Sequence, residues 1–151
     1  MNAFEITRQT RRNVLAVIDS LDFDQLIEIP KGLNNNILWN LGHVLVTQQA
    51  LIYRLSGNQM KVEEKLIELF KKGAVPIAYD KEILSIIKDQ FLLLNDKAEE
   101  DYKAGLFDTF TEYPTSYGYT LHSIEEAIEF NAAHEALHLG YIMALRRMVL
   151  A

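Results

Sequence analysis

The chain has 151 residues, 49% of them hydrophobic and 24% charged, which is the size and composition of one globular domain. Its formal net charge is -6, with thinly spread basic residues, which argues against nucleic acid and anionic membrane surfaces as partners. Cysteine is absent, so disulfides, thiolate ligands and a cysteine nucleophile are excluded, and any metal must be held by His, Asp or Glu.

The first residues carry Glu5, Arg8, Arg11 and Arg12 where a signal peptide would have its apolar stretch, and no apolar run reaches bilayer length. A single cytoplasmic domain over 1–151 is the expectation. Glycine and proline cluster between long segments of helical periodicity, the pattern of an all-α bundle. Phe4, Val14, Leu15, Val17, Ile18 and Leu21 predict a first helix from Ala3 to Leu21. A connector follows, with one turn at Asp24–Glu28, broken by Pro30 and Gly32. One of Asn34, Asn35 and Asn36 caps a second helix that runs to Leu55 and stops at Ser56-Gly57-Asn58. A shorter helix spans Val62–Lys72. A third long one runs from Asp80 to Lys103, closed by Gly105. Residues 106–121 form an irregular, aromatic-rich stretch without a period-two strand pattern, read as a cap on the core. Ser123-Ile124-Glu125-Glu126 is a capping box that opens the last helix, Ile124 to Val149.

His134 and His138 sit four apart on that helix, so both imidazoles lie on one face, one turn apart. Their stripe otherwise holds Ala127, Asn131, Tyr141 and Leu145, and burying two imidazoles there without partners is costly. The second helix is apolar apart from one narrow line, Asn36, Asn40, His43, Thr47 and Arg54, in which His43 is the best metal ligand. The proposed site is therefore a divalent metal held by His43, His134 and His138. Three protein ligands and an open position are the catalytic arrangement for zinc. His122 is a weaker fourth candidate.

His134-Glu135-Ala136-Leu137-His138 also matches the zinc-protease pattern in which the Glu is a general base. That reading fails for want of a third ligand, because 139–151 contain no His, Asp or Glu. Glu135 lies about 100° round the helix from His134. It is either a helper that reaches a bound water or a ligand imidazole, and so a candidate catalytic residue, or a solvated surface charge.

Trp39-Asn40-Leu41-Gly42-His43 and His134-Glu135-Ala136-Leu137-His138-Leu139-Gly140 together resemble the two signatures of the DinB-like (DinB/YfiT) superfamily. The resemblance covers essentially the whole chain, in helix order, in the insert after the second long helix and in the aromatic stretch before the last one. It implies a four-helix bundle of up-down-down-up topology and a divalent ion, nickel or zinc most often and manganese less so, on His43, His134 and His138. It implies homodimers, for which the apolar second helix would serve as interface. It further implies a small-molecule substrate and metal-dependent chemistry: transfer of a low-molecular-weight thiol to electrophiles, or hydrolysis. With no cysteine in the chain, any thiol must arrive as substrate. Asn40, Tyr117 and Tyr119 are further candidate helpers. The alternative is a non-catalytic helical binding or stress-associated protein whose metal site is structural or vestigial, closed by a fourth ligand such as His122 or Glu135.

Overall fold

The computed structural model describes residues 2–151. Four long helices carry the fold: α1 (Ala3–Ile18), α3 (Ile37–Ile52), α5 (Lys81–Lys103) and α6 (Ile124–Val149). Two short helices, α2 (Phe23–Ile27) and α4 (Glu64–Phe70), sit in the connections. Each long helix starts at a side-chain cap: Asn2 accepts from the Phe4 N–H, Asn36 from Trp39, Asp80 from Ile83 and Ser123 from Glu126. Each such cap satisfies one orphan N–H and is worth about 1 kcal/mol. The capping box at Ser123 closes only by half. Glu126 reaches back one residue further and accepts from the His122 N–H at 2.8 Å.

Two ends fall short of the periodicity. α1 stops at Ile18, three residues before Leu21. α3 stops at Ile52, and its continuation tightens into a 3-10 turn, Arg54–Ser56, ended by Gly57 at φ 72°. The stretch before α6 is also more ordered than its sequence pattern. β1 (Tyr113–Pro114) pairs antiparallel with β2 (Thr120–Leu121), in the register Tyr113 to Leu121. Strands of two residues are too short to leave a period-two signal.

Interhelical pairs fix the direction of each long helix. Arg11 meets Glu135 and Ser20 meets Arg146, so α1 and α6 run parallel. Arg11 reaches Phe91 while Asn2 reaches Glu99, so α5 runs against α1. His43 lies against His138 and Leu51 packs with Ala127, so α3 runs against α6. The bundle is up-down-down-up.

α3 is the spine of the core: of its 16 residues, all but Thr47 and Ala50 are buried. The apolar surface of α3, on which the resemblance would place a dimer interface, packs within its own chain against α2, α4, α5 and α6. At the same level a polar network crosses the core. Arg11, fully buried, donates to both Glu135 oxygens (2.9 and 2.7 Å), to Gln48 Oε1 (2.9 Å) and to the Phe91 carbonyl. Gln48 passes the chain to Asn95, which donates to the Phe4 carbonyl, and Asn131 adds a third bond to Glu135.

Candidate metal centre

The antiparallel packing of α3 on α6 brings three imidazoles together. Ring centroids lie 5.4 Å apart for His43 and His134, 5.0 Å for His43 and His138, and 4.5 Å for His134 and His138. One ring nitrogen from each lies within 4.8 Å of the others, so one ion bonding each imidazole at about 2.0–2.1 Å would draw the rings slightly inward.

Two of the rings are oriented from behind. His43 Nδ1 donates to the Phe70 carbonyl at 2.9 Å. Phe70 is the last residue of α4, where carbonyls have no partner within the helix, so the imidazole caps it. His138 Nδ1 donates to Asn40 Oδ1 at 2.7 Å. The Asn40 amide is fixed in turn by Nδ2, which donates to the Asn36 carbonyl at 2.7 Å. Both bonds set the tautomer and leave Nε2 with its lone pair, the usual service of partners behind a metal-binding histidine. The Trp39 indole stacks on His43, 4.6 Å between centroids and 11° from parallel, which holds the plane of that ring.

His134 differs: its Nδ1 is buried without a hydrogen-bond partner. Burial is the main reason that all three histidines lose basicity. The His134 pKa falls to about 3, helped by its two imidazole neighbours, and that of His138 to about 4, helped by His43. For His43 burial also lowers the value, the Phe70 carbonyl opposes it, and the nearby Lys72 charge adds to it. At neutral pH the cluster is three uncharged imidazoles, the form that ligates metals. Neutral rings, two pre-set Nε2 atoms and one orphan nitrogen fit a divalent ion of the kind imidazole prefers.

Gly42 lets this arrangement form. A Cβ there would sit 2.3 Å from the Phe70 ring, so only glycine lets α4 approach closely enough for the Phe70 carbonyl to meet His43. Phe70 is itself fully buried and stacks on Tyr79.

The rings open onto a cavity of about 590 Å³, walled by Val46, Leu51 and Phe130 and by the hairpin residues Tyr113 and Tyr117. The aromatic stretch therefore divides. Phe107 and Leu121 enter the core, as a cap would, while Tyr113 and Tyr117 face the cavity.

The other sequence candidates separate clearly. Asn40 stands behind His138, and Tyr117 lines the cavity. Tyr119 turns away to Glu126 (3.3 Å). His122 is exposed and pairs with Glu112 at 3.1 Å. Of the two readings of Glu135, that of a solvated surface charge is excluded, because the residue is 1% exposed and paired with Arg11 in the core network. Its hydrogen bonds go to Arg11 and Asn131, neither of them a ligand imidazole. Sequence reading missed the Phe70 carbonyl, which has no side-chain signature, and the role of Gly42. A lone glycine in a helical pattern is a flag for close packing and marks that position.

Fold and cluster define a class: a helical bundle with a three-histidine site capable of holding a divalent ion, set between α3 and α6. The DinB superfamily model matches residues 6–142, and the chain belongs to that superfamily. Against functionally curated proteins the sequence finds no match.

Proposed function

We propose that this chain is a metal-dependent enzyme that works on a small molecule in the cavity beside His43, His134 and His138. The reaction class is transfer of a low-molecular-weight thiol to an electrophile, or hydrolysis. One observation carries the reading. The cluster stops at three side chains, with the spare candidates His122 and Glu135 engaged elsewhere, and it opens on a cavity large enough for a drug-sized ligand.

A divalent ion held there supplies Lewis acidity and lowers the pKa of a water or thiol toward neutrality. The chain contributes the rest. Phe70 and Asn40 hold two imidazoles in the ligating tautomer. Trp39 and Phe130, at the faces of His43 and His134, keep bulk water from the rings. Thr47 Oγ1, 3.4 Å from His43 Nε2, and the Tyr117 hydroxyl offer donors to a ligand's polar atoms. Nickel and zinc both suit three imidazoles, whereas manganese, which favours oxygen ligands, is the weaker candidate. The oligomer in this reading is a homodimer. The face left for it is on α6, where Ala133, Ala136, Gly140, Met143 and Ala144 are exposed. No helix among the described residues is long and apolar enough to cross a membrane.

Metal content of untagged protein, grown with nickel, zinc and manganese in turn, tests the centre. The expected result is one ion per chain, lost in His43→Ala and His138→Ala. Metal content unchanged in both variants would sink the reading. A screen of cellular thiols against several electrophiles, with each metal, then assigns the reaction.

A further inference from the structure

The charge of the cavity runs opposite to that of the chain. The chain is acidic overall, at -6, yet the charged side chains that line the cavity are Arg54, Lys71 and Lys72, with no carboxylate among them. Lys71 is answered by Glu68 at 2.6 Å. Arg54 and Lys72 have no ion pair among the described residues. They come from different elements, Arg54 from the 3-10 turn after α3 and Lys72 from the segment after α4, and line the same cavity. Cations at the mouth of a low-dielectric cleft concentrate anions there. The floor adds to this. Three neutral imidazoles leave the charge of a divalent ion uncompensated, and nothing acidic in the wall balances it.

We infer that the molecule this cavity takes is an organic anion. Its carboxylate or phosphate group is held at the rim by Arg54 and Lys72, its apolar body lies against Leu51 and Phe130, and its reacting end faces the imidazoles. This rests on the reading of the cavity as a substrate site, and it narrows the substrates to those with an acidic group away from the reacting bond. Arg54 presents a planar fork suited to two oxygens and Lys72 a point charge, a pair that orients an oxyanion as well as attracting it.

Calorimetric titration with three probes of one shape tests the inference: phenylacetate, phenyl phosphate and the uncharged phenylacetamide. Each is run on chelator-stripped and on nickel-loaded protein, because binding to the stripped form reports the rim alone. Both anions are expected to bind the stripped protein about tenfold more tightly than the amide, with affinity falling as salt rises. The stronger of the two identifies the preferred oxyanion. The double variant Arg54→Gln/Lys72→Gln, both positions being exposed, should lose that margin and leave amide binding unchanged. Lys65→Gln, outside the cavity, should keep it. An amide that binds as well as the anions, or a double variant that still prefers them, overturns the inference. Selective anion binding by a protein that takes up no metal would overturn the metal centre and leave this intact.

Discussion

α6 carries two polar clusters side by side, one fully buried and one half-buried, and they differ in what they face. On one face Glu135 receives Arg11 twice and Asn131 once, and Arg11 gives two further bonds to Gln48 and Phe91. On the next face His134 keeps a buried nitrogen with no partner, His138 keeps Nε2 free, and His43 Nε2 has only the long 3.4 Å contact from Thr47. Burial differs as well: Arg11 and Glu135 are fully buried, whereas His134 and His138 are half-buried. The network between α1 and α6 leaves one acceptor over, Asn131 Oδ1, and is sealed in the core, whereas the histidine cluster lines a cavity, where the proposed ligand would sit. Access to a cavity, rather than polar residues in the core, separates the two.

The largest expected effect breaks the closed side. Glu135→Ala strands the Arg11 charge in the core and should cost about 3–5 kcal/mol in urea unfolding. The joint change Arg11→Met with Glu135→Leu should recover most of it. On the open side, His134→Ala in metal-stripped protein at pH 8 should stay within about 1 kcal/mol of the parent, while metal uptake is lost. Equal losses for Glu135→Ala and His134→Ala would erase the distinction between the clusters.

A smaller effect joins fold to site. Gly42→Ala improves helix propensity by about 0.8–1 kcal/mol but drives a Cβ into the Phe70 ring, an overpacking that costs about 1–3 kcal/mol. The net expectation is a loss of about 1 kcal/mol. Metal affinity should fall at least tenfold, because displacing Phe70 moves the carbonyl that orients His43. Calorimetry of metal binding beside thermal unfolding reads both, and intact affinity in a destabilised variant would detach Gly42 from the site.

The gentlest probe is pH. In metal-stripped protein His134 and His138 have pKa values of about 3 and about 4, against 6.5 when unfolded, so below 6.5 the unfolded chain binds protons that the folded one refuses. Stability from these groups is complete above pH 6.5 and drains as pH falls toward 4. Glu99, held at about 2 by Lys103 and Arg8, adds its own loss only below its ordinary 4.5. Melting temperatures between pH 6.5 and 4.5 should therefore decline in the parent and decline less in His134→Ala. Identical slopes would show that the imidazoles are not protected.

Much of this was legible in the amino acids. Helical periodicity, asparagine and serine caps and the scarcity of glycine and proline gave the four long helices. The four-residue spacing of His134 and His138 put them on one face, and the narrow polar line on α3 pointed to His43. What stayed hidden depends on atoms without a sequence signature or on contacts across the bundle. The Phe70 carbonyl is backbone, the partner of Glu135 lies 124 residues away on α1, and the strands of the hairpin are two residues each. Glu135 stayed open between two readings because its own helix gives its angle but not which neighbour packs there.

The indole of Trp39 has one more consequence. It is the sole tryptophan of the chain and lies face to face with His43. Its emission is therefore an optical gauge wired to the site, legible without labels. An open-shell ion such as nickel arriving beside that ring should darken it, while filled-shell zinc should only shift its colour. The molecule thus carries its own means of telling one ion from the other.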